Sequence, residues 1–577
     1  MTPSNIEYVV IGGYLVMLLG VGFALRKLST DVSDYFRSGC KGTWYLVGSS
    51  AFMASFSAWT FTGAAGVAFE SGWSVTVIYA SNAIGFFLNF LFLAPWFRQM
   101  RAITAPEVIR NRFGVGTQQF YAGFSVITAL LYGALHLYGL ALFTSAIFGF
   151  PIKGVIVVIG FVVLFYSLTG GSWAVMATDF LQSLILIPLT LLVCILCLIE
   201  LKGFSGLLEG IRSQGLSQDF QLFNEPGRFT ASSFTITWAI AMACKNIFSY
   251  NTLGAAPRYF AVKDGREARK AALLACIMMT VGIVVWIVPP MAARLLIADQ
   301  IDALEISKPA EASYALMSLS LLPDGLVGLM VVAIFAATMS SMDTGLNRNA
   351  AIITQDVYPS LCKILGITPS EAVGRLWIGR GFTIFFGASI ISLALYFSGQ
   401  DGKGIFDIML LIGAMLGIPL AVPLLLCLFI RRVPRWAAVS SVIAALIPSV
   451  LGHYSAELFG ASWNFQEQIL YNLCAGTVGF LGSALFWKHS SQQYRKQVDH
   501  FFLQMHTPVD FEKEIGEAND DVQLRLLGRF GLAITLFIGA LALIPNPWTG
   551  RLAILSVAFF IGSISGLMLR AGNRRKS

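Results

Sequence analysis

A chain of 577 residues that is 56% hydrophobic and only 12% charged, with a mean hydropathy of +0.72, carries more apolar surface than a water-soluble fold of that size can hide. Its formal charge of +8 has meaning through where the Lys and Arg fall. Eight scattered cysteines, including the Cys194/Cys197 pair inside an apolar run, imply packing and no disulfide framework.

In chain order, apolar runs of spanning length fall at about 6–25, 44–70, 73–95, 118–148, 154–170, 172–199, 232–253, 270–297, 322–346, 376–398, 404–430, 434–453, 467–487, 527–545 and 551–571. These fifteen segments describe an all-α polytopic membrane protein. The run 6–25 has no basic stretch before it and no small-residue cleavage pattern after it, so it reads as a retained helix and not a signal peptide. With the N-terminus outside, the loops Arg26–Lys41, Arg98–Arg112, Arg258–Lys270, Arg348–Arg375, Arg431–Arg435, Lys488–Arg529 and Arg570–Lys576 all face inward, and they hold most of the basic residues. Asp299, Asp302, Glu305 and Glu311 cluster in an outward loop. The positive-inside rule therefore predicts a cytoplasmic C-terminus. Residues 488–529 mix both charge signs, contain Pro508 and the acidic run Glu512–Asp521, and are too short for a packed domain, so they read as a cytoplasmic linker with some helix. The chain divides into an N-terminal span with its loop (1–43), a central block (44–430), two additional spans (431–487), the linker (488–529) and two C-terminal spans (530–577).

Several spans carry polar groups that lipid does not tolerate idly. Gly42–Gly72 reads GTWYLVGSSAFMASFSAWTFTGAAGVAFESG, where Gly63 and Gly66 mark a place for the helix to unwind and expose carbonyls, and Trp59 lies between Ser57 and Thr60 as a candidate cavity-facing ring. His136, in LLYGALHLYGL, reads as a packing histidine. Ser172–Pro188 reads SWAVMATDFLQSLILIP and places Thr178, Asp179, Gln182 and Ser183 on neighbouring faces about two turns inside the cytoplasmic edge. Phe234–Thr252 reads FTITWAIAMACKNIFSYNT and sets Lys245 and Asn246 deep in the segment. Two readings of the Lys245 ammonium stay open: an internal counter-ion to Asp343 or Asp179, or a partner for a substrate carboxylate. In Leu326–Leu346, LVGLMVVAIFAATMSSMDTGL, the residues Ala337, Ser340, Ser341 and Thr344 share one helical face with Asp343 beside it. Such hydroxyls serve ordinary helix packing in membranes, but oxygen ligands are also what a small hard cation takes, and a carboxylate within the membrane points to function.

No phosphate loop, HExxH, nucleophile elbow or Cys/His cluster at metal spacing occurs, so nothing indicates an enzyme, and the basic patch with interleaved aromatics of a nucleic-acid binder is missing. Instead AATMSSMDTGLNRNAAIITQDVY (Ala336–Tyr358) and GGSWAVMATDFLQ (Gly170–Gln182) resemble the sodium/solute symporter family, relatives of bacterial proline, pantothenate, sugar and sialic-acid carriers. TAPEVIRNRFG (Thr104–Gly114), APRYFAVKDGREAR (Ala256–Arg269) and LPDGLVGLMVVAIFAA (Leu322–Ala337) extend the likeness over about residues 5–490 in the family's order. The resemblance implies that the central block is a five-plus-five inverted-repeat (LeuT-like) transporter core, with one extra helix before it and about four after it, working by alternating access around a midplane site. The span count agrees: five is odd, so the second set of five must start on the opposite side.

By the same resemblance, sodium is held by the backbone carbonyls of Met53, Phe56 and Ala337 and the hydroxyls of Ser340 and Ser341, with Asp179 as the carboxylate beside its path. The interrupted second and seventh spans then cradle substrate among Ser55, Trp59, Thr60, Tyr79, Asn82, Lys245 and Phe248. Where sugar carriers of the family have amide or acidic groups, counting gives Trp59, Tyr79 and Leu410 here. Together with Lys245 this moves the expected solute toward a small carboxylate, with sugars, polyols and amino acids as alternatives. The implied partners are a small solute, Na⁺ as coupling ion with no other cofactor, and the lipid bilayer of the cell inner membrane, with no nucleic acid. A transporter-like membrane sensor signalling through Lys488–Arg529 is the alternative from a different class.

Overall fold

The computed structural model describes residues 4–25, 37–167, 172–304, 306, 308–368, 372–400, 404–460 and 462–574. Among these every regular element is a helix and no strand forms, as suits backbone that must satisfy its own hydrogen bonds in lipid. Helix α1 (Asn5–Leu25) precedes α2 (Trp44–Ala54) and α3 (Gly63–Ser71), the two halves of one broken segment. Helix α4 (Thr76–Leu88) runs on through a π-turn, and the short amphipathic α5 (Ala105–Phe113) leads to α6 (Val115–Phe148), α7 (Ile152–Ser167) and α8 (Ser172–Glu200). Then come α9 (Ile236–Tyr250), α10 (Gly265–Leu296), the short α11 (Ser313–Leu321), α12 (Leu326–Ile352) and α13 (Ala372–Phe397). Helices α14 (Ile405–Ile412) and α15 (Ile418–Phe429) are joined by a π-turn at Gly413–Gly417, and α16 (Ala437–His453), α17 (Phe465–Ser483), α18 (Gln492–His506), α19 (Asp520–Ala540) and α20 (Trp548–Arg574) follow.

Among the described residues nine helical stretches are long and apolar enough to cross a membrane, and four shorter apolar helices, Asn5–Met17, Ile152–Phe165, Leu326–Met339 and Ala437–Gly452, stand beside them. Each of the fifteen segments read from the sequence contains helix among its described residues. Because α2 and α9 are interrupted and polar, neither reaches spanning length alone, and fifteen crossings stands as a proposal.

The break in the second segment falls at Ser55–Thr62, upstream of the Gly63 and Gly66 positions to which the sequence pointed. Hydroxyls cause it. Ser57, in extended backbone, accepts from the Trp59 N–H at 3.3 Å, and Thr62 Oγ1 donates to the Ala58 carbonyl at 3.0 Å, so side chains replace the helical ladder locally. The glycines serve close approach instead: a Cβ on Gly63 would lie 2.7 Å from Trp59 Nε1, and one on Gly66 would lie 3.1 Å from Glu311 Cγ. The seventh segment also breaks, after Tyr250, and resumes as the short helix Ala256–Phe260.

Two features outside the central block tie it down. Glu7 of α1 is buried and accepts from the Gly325 and Gly328 N–H groups at 2.6 and 2.5 Å, satisfying the exposed donors at the start of α12. Residues 488–529 hold more structure than a linker: α18 buries Tyr494, Val498, Phe501, Phe502 and Met505. Around it the Arg101 fork grips Glu514 at 2.7 and 2.8 Å and holds that carboxyl below the usual range, Arg431 pairs with Asp499 at 2.7 Å, and Lys263 pairs with Asp520. Three of the basic loops are thereby bound to one segment. Beyond it α19 and α20 pack as a hairpin through small residues, with Gly531 against Ser565 and Gly562 against Thr535.

Candidate ion and substrate site

Where α2 ends, its last carbonyls meet α12. Ser341 Oγ lies 3.2 Å from the Phe56 carbonyl oxygen and 3.4 Å from that of Ala337. One turn earlier Thr338 Oγ1 accepts from the Ala58 N–H at 3.0 Å, which pins the break to α12. Met53 sits in the last turn of α2, and its carbonyl accepts from the Phe56 N–H at 3.1 Å. Phe56, Ala337 and Ser341 are thus brought together with Met53 adjoining them, while the side chains of Ser340, Asp343 and Thr344 lie outside the described residues. Carbonyl and hydroxyl oxygens converging away from water are ligands of the kind a hard cation takes.

Asp179 has a partner that its own helix does not reveal. Its Oδ2 accepts from Ser50 Oγ at 2.5 Å, Ser50 Oγ accepts from Arg258 Nη1 at 2.6 Å, and the same Nη1 lies 3.7 Å from Asp179 Oδ2. A fully buried carboxylate needs such a counter-charge. Beside the path to which the resemblance assigns it, Asp179 thus meets a fixed guanidinium, delivered from the short helix after the seventh segment because the break at Tyr250 redirects the chain.

Beside the oxygen cluster lies a cavity of about 670 Å³. Ser55, Trp59, Thr60, Tyr79, Asn82 and Lys245 line it, as do Leu410 and His136, so the histidine read as a packing residue faces the cavity. Phe248 does not line it. It packs on another side of α9 against the cluster of Ala414, Ile418 and Val422, and because apolar residues of α9 also face outward, as Ile236 and Ile240 do, apolar spacing does not single out the stripe that meets the cavity. The ammonium of Lys245 makes one hydrogen bond, 3.4 Å to Asn246 Oδ1, and no carboxylate lies within 4.0 Å of it among the described residues. Its stem fits against the π-turn, where a Cβ on Gly413 would come within 2.7 Å of Lys245 Cε. The described lining residues include Lys245, Arg258 and His136 but no Asp or Glu.

The cavity is asymmetric. At one end Trp59 stacks on Phe406 with centroids 6.1 Å apart and planes at 15°, Phe234 abuts Phe406 at 6.3 Å, and the Glu311 carboxylate accepts from the Phe406 N–H at 3.3 Å. At the other end the wall continues through Ile103, Pro106, Arg258 and Leu424, beside the basic loops. Sequence reasoning missed Ser50, which has no local signature, and Gly413, whose meaning depends on the lysine opposite.

A cavity between two interrupted helices, beside an oxygen cluster in an all-helical membrane fold, defines a secondary transporter. The sequence pattern of the Sodium:solute symporter family matches residues 35–445, and the chain belongs to that family. It is 25% identical to the rat (Rattus norvegicus) sodium/glucose cotransporter 2 over 77% of this chain and 70% of that protein. It is 26% identical to the Sus scrofa sodium/myo-inositol cotransporter 2, covering 77% and 69%, and 24% identical to the sodium/sialic acid symporter NanT of Aliivibrio fischeri, covering 84% and 94%. Among solved structures, a Na⁺-coupled sialic acid symporter in a substrate-bound outward-open state superposes with a TM-score of 0.71 at 21% identity, over 85% of this chain and 98% of that one. Mhp1, a nucleobase-cation-symport-1 family transporter in a closed conformation, gives 0.51 at 14% identity, over 82% and 99%. The protein is therefore a multi-pass membrane transporter with the inverted-repeat fold and no enzyme, working with Na⁺ as coupling ion and a solute as cargo.

Proposed function

We propose that the protein drives uptake of a small carboxylate solute by cotransport with Na⁺ through alternating access. The observation that carries this reading is the Lys245 ammonium, without a carboxylate partner among the described residues, in the wall of the cavity that Phe56 and Ser341 also line. The basic loops face the cytoplasm, so the N-terminus is outside and the cavity in this conformation leads inward, with the Trp59–Phe406 stack as the closed outer end. Sodium takes the carbonyls of Met53, Phe56 and Ala337 and the hydroxyls of Ser340 and Ser341, and so fastens the break between α2 and α3 to α12. Substrate then meets an ordered wall. Sodium raises solute affinity and the solute raises sodium affinity by the same factor. Asp179, neutralised by Arg258 through Ser50, holds α2 to α8 just below this cluster.

Glucose and myo-inositol, the named substrates of two curated relatives, favour a second reading in which a neutral sugar or polyol is carried, whereas the sialic acid of a third is itself a carboxylate. Lys245→Met separates the two. Carboxylate uptake is expected to be lost while sodium still raises the melting temperature of the purified variant. Undiminished carboxylate uptake by Lys245→Met would return neutral solutes to the front.

A further inference from the structure

Helices α14 and α15 are one helix with a widened turn, and a proline explains the widening. Pro419 has no N–H to offer the Met415 carbonyl one helical turn back, and its ring crowds that oxygen. The Ile418 N–H bonds the carbonyl of Gly413 in place of that of Ala414. The carbonyls of Ala414 and Met415 are thereby released from the helical ladder, and a buried backbone group without a partner is costly.

Both are answered from helices that follow the central block. Asn472 of α17 donates from Nδ2 to the Ala414 carbonyl at 2.8 Å and to Ser449 Oγ of α16 at 2.9 Å, which spends both of its N–H groups. Ser449 Oγ lies 3.3 Å from the Met415 carbonyl and 3.5 Å from that of Ala445 in its own helix. Gln468, one turn before Asn472, donates to the Ser449 carbonyl at 3.1 Å and fixes α16 to α17. Asn472 and Ser449 are both buried, so bulk solvent does not compete for these bonds.

The turn also meets the cavity, which both of its glycines line. A Cβ on Gly413 would come within 2.7 Å of Lys245 Cε, and one on Gly417 within 3.4 Å of the Tyr132 hydroxyl. The widened turn is thus the seat of the lysine stem. If the brace is lost, the Ile418 N–H is drawn back toward the Ala414 carbonyl, the turn tightens, and Gly413 shifts against the stem. We infer that Asn472 and Ser449 are positioning residues of the substrate site, which hold open from behind the turn that seats Lys245. This deepens the reading of Lys245 given above and rests on it for what the ammonium binds, but not for how the ammonium is held.

The test uses purified full-length protein and reads the acetylation rate of Lys245 by peptide mass spectrometry under limiting acetic anhydride, with the exposed Lys513 as internal reference. Asn472→Leu and Ser449→Ala are each expected to raise the Lys245 rate about fivefold, the weight of one hydrogen bond on the turn, and to leave Lys513 unchanged. Gly413→Ala fills the same seat from the cavity side and should act in the same direction. Combined with Asn472→Leu it should add less than about twofold to the larger single effect, because both act through one turn. The increment that sodium adds to the melting temperature should persist, which a general loosening of the fold would not allow. Melting temperatures also identify a variant that fails to fold, and Ser449→Ala, the smaller change, then carries the test. The inference is overturned if Lys245 in the folded variants reacts within about twofold of wild type, or if the effects of Gly413→Ala and Asn472→Leu multiply as independent changes do. Shielding of Lys245 by acetate, L-lactate or D-glucuronate in the presence of sodium tests the carboxylate reading separately: failure of all three contradicts that reading, while a raised rate in the variants still upholds the brace.

Discussion

Replacing Ser341 with alanine removes the hydroxyl that faces two backbone carbonyls at once, at 3.2 Å from Phe56 and 3.4 Å from Ala337. In the proposed site this is one of about five oxygens around the cation, and a hydrogen-bonding group that engages a charge contributes about 1.5–3 kcal/mol. At about 1.4 kcal/mol per decade, that predicts a rise of roughly 10- to 160-fold in the sodium concentration for half-maximal uptake, with the low end favoured because water can stand in for the lost oxygen. The hydroxyl also links the two helices directly. Melting temperature measured without sodium should therefore fall slightly, while the increment added by sodium shrinks much more. The assay is initial uptake in liposomes against external sodium at fixed potential, for wild type, Ser341→Ala and Ser340→Ala. Unchanged sodium dependence in both variants would remove the ion site from this face of α12.

Arg258→Met leaves Asp179 buried without its counter-charge and should destabilise the protein by about 3–5 kcal/mol, whereas the double variant Arg258→Met/Asp179→Asn should recover most of that loss in thermal unfolding. No recovery would mean that the pair in the structure does not hold the charge. Arg101→Ala breaks a half-exposed ion pair, so its effect on stability should stay under about 1 kcal/mol, but it frees Thr507–Glu514, and limited proteolysis should show faster cleavage there. Single cysteines at Asp302 and Ser398 should react with an impermeant reagent from outside, while those at Lys263 and Lys513 should be protected in right-side-out vesicles; outside labelling of Lys513 would invert the proposed topology.

The helices were legible in the sequence because apolar length alone reports them, and α12 stood out because hydroxyls and an aspartate interrupt a spanning run. The position of the break in the second segment was not. Glycine suggested Gly63 and Gly66, but the unwinding comes from Ser57 and Thr62 bonding the backbone, six residues and one residue before Gly63, while the glycines admit Trp59 and Glu311. Six of the seven substrate candidates line the cavity because four of them, Ser55, Trp59, Thr60 and Lys245, are polar or amphipathic groups on the two interrupted segments, where any inward stripe is short. Phe248 went astray because nothing local tells an aromatic that faces a cavity from one that packs on the π-turn at Ala414 and on α15. The Asp179–Ser50–Arg258 chain was illegible for another reason. It joins residues 129 and 208 positions apart along the chain, and charge partners at that range follow from tertiary packing and not from spacing.

Sodium-gradient-driven accumulation in liposomes of purified protein tests the central claim most directly. With sodium outside, an interior-negative potential of about 100 mV supplies roughly 2.3 kcal/mol per sodium ion moved inward, enough for about fifty-fold accumulation of solute per ion at equal sodium concentrations. The account predicts uptake above equilibrium that collapses when choline replaces sodium or when the potential is dissipated. Equal accumulation in choline would contradict it.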